Sequence, residues 1–198
     1  MVEDELFQDL FKISSNRKNV EKGDILIAMP FFENNYFSRA VIYMVGNDGE
    51  GSMGVILNKQ TDYRTSDLLT ELTGIDFPVY FGGAMEQDKL YYLHVHSELK
   101  DAQPLGNGLY WGGDLGHLRQ LLKAGEIRQG EIRFFAGYSK WGPGHLRREL
   151  DANFWIVGSM GFRQFFDTPT NKLWEKSMKG LGGKYKIWAN FPENPSMN

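Results

Sequence analysis

The chain has 198 residues, of which 41% are hydrophobic and 24% charged, and its net charge is −3. This length and composition are typical of one globular domain with a substantial core. The negative charge argues against nucleic-acid binding, which usually shows as a basic excess or stripe. Because the sequence has no cysteine, disulfides, thiolate nucleophiles and cysteine-ligated metal sites are excluded.

The amino-terminal segment is predicted to form an amphipathic helix over Glu3–Ile13, followed by a polar loop. It lacks the positive flank and apolar core of a signal peptide. No apolar run in the sequence approaches the ~20 residues that span a bilayer. We therefore expect a cytoplasmic protein with a helix and loop over residues 1–22, one domain over 23–190 and a loose tail over 191–198.

The first half of the domain shows strands joined by tight turns. Asp24–Met29 is a predicted strand that Pro30 ends. Ala40–Val45 and Met53–Leu57 are predicted to pair as a hairpin, because the Asn, Asp and Gly between them tolerate positive φ. The other predicted elements are a helix from Thr65 or Ser66 to Leu72 and strands at Val79–Phe81, Leu90–His96 and Leu109–Trp111.

The second half mixes helices and strands. Asp114 is predicted to cap a helix that Gly125 ends. Alternating apolar residues predict a strand over Ile132–Ala136, which we expect Gly137 to terminate. The remaining predictions are helices at His145–Asp151 and Thr168–Leu181 and strands at Phe154–Val157 and Tyr185–Trp188. The elements together predict an α/β fold of the mixed α+β kind, a single domain with one mixed sheet, hairpins and flanking helices.

Three glycine-rich strand exits suggest a ligand-binding face. Ligands in open α/β sheets commonly bind where strands end, and glycine turns that open helices offer free N–H groups to anions. Trp141 either lies exposed on its turn, where it would suit ligand stacking, or folds back onto the sheet. The predicted ligand-binding residues are Gly82, Gly83, Trp111, Gly112, Gly113, Ser139, Trp141, Gly142 and Gly144.

Two enzymatic or metal-binding alternatives have weaker support. Ser139 follows a strand and precedes a helix, so a hydrolase would use it with His94 or His145, but Trp141 stands where a nucleophile elbow needs glycine. His94 and His96 project to one face of a strand and would form a metal site with Glu98, although no further ligand is evident. Neither nucleotide-binding glycine signature is present, so we expect no cofactor.

Several motifs resemble the YqgE/AlgH family of bacterial proteins. They comprise Leu26-Ile27-Ala28-Met29-Pro30, Glu50-Gly51-Ser52-Met53-Gly54-Val55-Ile56-Leu57-Asn58, Tyr80-Phe81-Gly82-Gly83 and Gly137-Tyr138-Ser139-Lys140-Trp141-Gly142-Pro143-Gly144. The resemblance implies a single cytoplasmic α/β domain with a mixed, strongly curved sheet. The family supplies no catalytic residues to carry over.

The resemblance also implies a regulatory role, because the family carries a transcriptional-regulator label through alginate control. This sequence has neither a helix-turn-helix signature nor a basic stripe. It departs from the family pattern at Ala84, where proline is usual, and at His145, where glutamine is usual. We expect a non-enzymatic binding or regulatory protein that acts through a small ligand or a protein partner, with neither membrane nor nucleic acid as its target.

Overall fold

Ten strands form one curled, mixed sheet in the described part of the chain. The structure is a computed structural model that describes residues 15–17, 19–30, 32 and 36–191. The strands are β1 (Asp24–Ala28), β2 (Val41–Asp48), β3 (Gly51–Ile56), β4 (Gln60–Arg64), β5 (Pro78–Phe81), β6 (Met85–His94), β7 (Gln103–Gly106), β8 (Leu109–Trp111), β9 (Ile132–Trp141) and β10 (Trp155–Ser159).

Six α-helices in the same part of the chain flank the sheet. They are α1 (Thr65–Leu68), α2 (Leu115–Ala124), α3 (His145–Asp151), α4 (Phe162–Asp167), α5 (Thr170–Gly180) and α6 (Gly183–Trp188). A single 3₁₀ turn at Thr70–Leu72 follows α1. The predicted mixed α/β fold with hairpins and a curved sheet is confirmed.

Strand β9 lies at the centre of the sheet and has three partners. The order of the main path is β10-β1-β2-β3-β9-β6-β8-β7. Along one edge of β9, its first half pairs with β5 in parallel and its second half pairs with β3 antiparallel. The other edge pairs antiparallel with β6.

Local sequence signals place several elements correctly. The β2–β3 hairpin forms, and α3 has the predicted bounds. Helix α2 starts where the Asp114 carboxylate accepts a hydrogen bond from the His117 N–H, and it ends at Gly125 in the left-handed conformation.

Two predicted boundaries are wrong for physical reasons. Gly137 does not end the strand: with φ of +70° it lies opposite a bulge in β6, where residues 86–89 are the extra residues, and β9 continues to Trp141. The predicted strand at Tyr185–Trp188 is the helix α6, because Gly182 turns the chain and Trp188 is buried in the core. Short elements β4, β7 and α4 carry no clear sequence pattern.

The predictions for the two termini fall mostly outside the described residues. The helix predicted over Glu3–Ile13 lies there, as do residues 192–198 of the tail predicted over 191–198. Of the described amino-terminal residues, Asn16 lies along the free edge of β10, where its amide donates to the Val157 carbonyl at 2.7 Å and accepts from the Val157 N–H at 2.9 Å. One side chain thereby supplies both hydrogen bonds that a neighbouring strand would make.

Apolar side chains fill both faces of the sheet. One face packs against α4, α5 and α6 through Phe165, Trp174 and Trp188. On the other face, α3 packs against the β10 end through Leu146 and Leu150, while a separate cluster holds α2 against the β6 and β9 side. No helix within the described residues is long and apolar enough to cross a membrane.

Candidate functional site

The predicted Gly82–Gly83 turn lies where β9 changes partner from β5 to β3. The Gly82 N–H donates to the Ala136 carbonyl, and the Gly82 carbonyl accepts from the Ile56 N–H. A Cβ on Gly82 would lie 2.1 Å from the Gly137 carbonyl oxygen, and a Cβ on Gly83 would meet the Tyr138 backbone at 2.2 Å. Both positions therefore need glycine for close backbone contact inside the sheet.

Trp141 is buried, so the exposed placement considered from the sequence is wrong and the inward placement is right. Only 5% of its surface is accessible. Its indole N–H donates to a Glu149 carboxylate oxygen at 2.8 Å, and the Trp155 indole donates to the same oxygen at 2.6 Å. Because β9 continues to Trp141, its ring packs between the sheet and α3 and contacts Trp155 edge to face.

Ser139 is buried in the sheet, with 4% of its surface accessible. Its hydroxyl donates to the Gly82 carbonyl at 3.3 Å. His94 pairs with Ile132, seven residues before Ser139 on β9, so roughly 20 Å separates them at about 3.3 Å per residue. His145 is exposed on the first turn of α3. The geometry therefore does not favour a hydrolase that uses Ser139 and His94.

The predicted metal ligands are engaged in other contacts. His94 is fully buried, and its Nδ1 accepts from the His96 N–H at 3.2 Å, so its Nε2 carries the proton and donates to the Gly112 carbonyl at 2.8 Å. Burial lowers the pKa of His94 below its usual value of 6.5. His96 contacts Glu98 through Nδ1 at 2.8 Å. Within the described ranges, no group of three or more His, Asp or Glu side chains is arranged to hold a metal ion.

The predicted site around Trp111–Gly113 is separate from the one around Gly82 and Ser139, because the two groups contact different residues. The Trp111 ring is half-buried and stacks on Tyr91, with centroids 5.5 Å apart. The Gly113 carbonyl accepts from the Tyr92 hydroxyl at 2.6 Å. The structure thus brings Gly82, Gly83 and Ser139 together and places Trp111–Gly113 beyond β6, at the end of β8.

Gly142 and Gly144 follow the carboxyl end of β9. Gly144 borders a groove of about 400 Å³ between α3 and the β2–β3 hairpin, which Asn47, Ser52 and Arg147 also line. A Cβ on Gly142 would meet nothing within 4 Å, so this turn is open. The ligand-binding role predicted for these turns stays a prediction.

Arg133 forms the most unusual polar site of the described chain. It lies on β9 with 8% of its surface accessible. Its Nη1 donates to the Leu57 carbonyl at 3.1 Å and its Nη2 to the Phe165 carbonyl at 3.3 Å. The guanidinium carbon lies 4.7 Å from the Tyr80 ring centroid and 4.2 Å from that of Phe165. These contacts hold the cation between two aromatic faces.

No carboxylate pairs with Arg133 within the described ranges of the chain. Burial lowers the pKa of the guanidinium to about 10, with the coulombic effect of Tyr80 acting in the opposite direction. The side chain stays protonated at neutral pH. A buried charge normally has an ionic partner, so the missing anion sets Arg133 apart.

Two cavities meet at Arg133 and share Tyr80 and Phe166 as walls. The first has about 270 Å³ and is further lined by Phe77, Pro78, Gln129, Gly130 and Ile132. The second has about 660 Å³ and is further lined by Gln60 and by the segment from Asp167 to Asn171, which includes the first turn of α5. The arrangement can hold a small ligand against a desolvated cation.

Sequence reasoning did not single out Arg133. In the strand Ile132–Ala136, the apolar residues at 132, 134 and 136 lie on one face and Arg133 lies on the other. An arginine in this position suggests that its face is exposed to solvent. The usable signal is that Phe135, the next residue on the same face, is aromatic, which is unusual for a solvated strand.

Comparison with known proteins places the chain among bacterial relatives. The family described as DUF179, AlgH-like, matches residues 25–186. The chain belongs to the AlgH-like family. The resemblance seen in the sequence motifs is thereby confirmed.

AlgH-like relatives align along nearly their whole length. A UPF0301 protein from Bacteroides fragilis is 37% identical over 191 residues, which cover 96% of this chain and 97% of the relative. Another from Chlorobaculum tepidum is 33% identical over 180 residues, or 90% of this chain and 96% of the relative.

Two solved structures share the AlgH-like fold. A protein from Corynebacterium diphtheriae aligns with a TM-score of 0.76 at 21% identity, over 89% of this chain and 95% of that one. The AlgH protein from Pseudomonas aeruginosa aligns with a TM-score of 0.68 at 23% identity, over 86% and 94%. At 21% and 23% identity, these two structures show a shared fold.

Proposed function

We propose that this AlgH-like protein is a non-enzymatic, cytoplasmic binding or regulatory protein that takes a small ligand in the two cavities beside Arg133. One observation carries the proposal: a buried guanidinium without a carboxylate partner in the described chain lines both cavities. A bound ligand would supply the interaction that the protein itself omits. The regulatory part of the proposal rests on the family resemblance.

Binding has better support than catalysis. The Ser139 hydroxyl is buried and hydrogen-bonded to a backbone carbonyl, and both ring nitrogens of His94 interact with backbone groups. The protein has a net charge of −3, which gives no support to DNA as the regulated target. A protein partner at the open Gly142–Gly144 turn is the alternative that a failed ligand search would favour.

A thermal-shift screen of the purified full-length protein tests the proposal. The library contains neutral, cationic and anionic metabolites and is run on the wild type and on Arg133→Met. A ligand at ~100 times its dissociation constant adds about 2.7 kcal/mol, which raises the melting temperature by roughly 5–10 °C for a chain of this size. We expect at least one hit that Arg133→Met abolishes.

Two results would contradict the proposal. A screen without hits would remove the small ligand and lead to an affinity search for a protein partner. Hits that Arg133→Met leaves unchanged would place the ligand elsewhere, and variants at Gly144 and Trp111 would then test the predicted glycine-rich turns.

A further inference from the structure

Arg133 retains hydrogen-bonding capacity after its protein contacts are made. A guanidinium has five N–H donors, and here two of the donors are used by the carbonyls of Leu57 and Phe165. Both carbonyls are neutral, so the positive charge is not compensated by these bonds. The remaining donors suit the fork geometry with which arginine binds carboxylate or phosphate oxygens.

The larger cavity adds donors of a kind that anions prefer. The first turn of α5, an eleven-residue helix, lines this cavity together with Arg133. The Lys172 N–H is used by the Pro169 carbonyl, whereas the N–H groups of Thr170 and Asn171 belong to the orphan donors of a helix start. Thr168 and Thr170 line the same wall. Helix start and buried arginine together define a site for one oxyanion.

The smaller cavity has a different character. Phe77, Pro78, Tyr80 and Phe166 give it apolar and aromatic walls, and it opens on the same guanidinium. Asp167 lines the larger cavity with an exposed carboxylate. This negative charge opposes anion binding in the cavity, so we expect the site to take one phosphate group and no more.

We infer that the ligand is a phosphate monoester with an aromatic or apolar body. Its phosphate lies in the larger cavity between the Arg133 guanidinium and the first turn of α5. Its body lies in the smaller cavity against Phe77, Tyr80 and Phe166. This inference rests on the proposed function, since it names the chemistry of the ligand that the cavities beside Arg133 would hold.

Titration calorimetry with three simple probes tests the inference on the full-length protein. The probes are phenyl phosphate, inorganic phosphate and the neutral benzyl alcohol. We expect phenyl phosphate to bind at least tenfold more tightly than inorganic phosphate, which corresponds to about 1.4 kcal/mol. Benzyl alcohol is expected to bind at least a hundredfold more weakly than phenyl phosphate.

Four variants assign the binding. Arg133→Met keeps the length of the side chain and removes the charge, and Arg133→Lys keeps the charge without the fork; we expect losses of at least thirtyfold and about tenfold. Thr170→Pro removes one N–H at a position where helices tolerate proline, and a loss of about fivefold is expected even if Arg133→Met fails to fold. Arg147→Met, at a 54% exposed arginine paired with Asp151, is the matched control and should bind like the wild type.

The possible failures are distinguishable. Equal loss in Arg147→Met and Arg133→Met, or phosphate binding that neither Arg133→Met nor Thr170→Pro changes, would overturn the phosphate site. If the screen yields an Arg133-dependent neutral ligand and phenyl phosphate does not bind, the inference fails and the proposed function stands. If neither probes nor library bind, both fail.

Discussion

Strand β9 carries buried polar groups towards both ends, and the two ends satisfy these groups in different ways. Near its carboxyl end, the Trp141 indole and the Ser139 hydroxyl both find partners within the fold, in Glu149 and in the Gly82 carbonyl. Near its amino end, Arg133 has only neutral carbonyls and aromatic rings as neighbours. The first arrangement pairs its polar groups within the fold, whereas the second leaves a charge without an anionic partner in the described chain.

Under the proposed function, one end of β9 serves stability and the other serves ligand binding. Buried hydrogen bonds that are fully paired hold a fold in one arrangement, and their loss is costly. A buried cation without an anion contributes little to stability, because the cost of removing it from water is not offset by an ion pair. The following predictions test whether the two ends of β9 divide in this way.

The largest expected effect is at Trp141. Trp141→Ala removes a buried ring and leaves the Glu149 carboxylate with one of its two indole donors, so we expect the free energy of unfolding to fall by about 3–5 kcal/mol. Urea denaturation followed by circular dichroism measures it. Trp141→Phe, which keeps an aromatic ring, is the control and should lose about half as much. A loss below ~1 kcal/mol in Trp141→Ala would show that the carboxyl end of β9 contributes little to the stability of the fold.

A smaller effect is expected from the protonation of His94, which lies beside the Arg133 end of β9. Burial lowers its pKa in the folded protein, so the unfolded chain takes up the proton first as the pH falls. Stability is therefore full above about pH 6.5 and decreases below it, by at most about 1.4 kcal/mol per pH unit.

Urea denaturation at pH 7.5, 6.5 and 5.5 checks this dependence against His94→Gln. We expect the wild type to lose more stability than the variant between pH 6.5 and 5.5. Parallel curves for the two proteins would contradict the assignment to His94.

Arg133→Met is expected to change stability by less than about 1 kcal/mol. The variant loses two hydrogen bonds to carbonyls and at the same time removes a desolvated charge, and these effects oppose each other. The same denaturation experiment measures it. A loss of more than ~3 kcal/mol would make Arg133 a structural tie between β3 and α4, and the comparison of the two ends would fail.

A similarly small effect on stability is expected at Ser139. Ser139→Ala removes a hydrogen bond of 3.3 Å and should lower stability by about 0.5–1 kcal/mol. Ester and phosphoester hydrolysis by the wild type and the variant is measured in parallel. An activity present in the wild type and lost in Ser139→Ala would restore the hydrolase alternative.

The sequence predicted best where local chemistry decides the structure. The Asp114 cap, the Gly125 helix end and the bounds of α3 depend on residues within one or two turns of each other. The continuation of β9 through Gly137 depends instead on contacts with a segment that is distant in the sequence. A glycine with positive φ is typical of a turn, but at Gly137 the strand continues, with the carbonyl groups of Gly83 and Met85 packed closely against it.

The candidate site escaped prediction for the same reason. The groups that bury Arg133 come from Leu57 and Phe165, which are 76 and 32 residues away in the chain. Such long-range contacts leave no periodicity in the sequence. The recognised family motifs, by contrast, led to the glycine junction at Gly82, where close backbone packing restricts the residue type.

The Asn16 amide has a consequence for how this protein associates with itself. A ten-stranded open sheet ends in strands whose free N–H and C=O groups can recruit a strand from another molecule. At β10 the Asn16 side chain already bonds both backbone groups of Val157. Any incoming strand must displace this side chain before it can pair with Val157, so we expect Asn16 to disfavour strand addition at the β10 edge.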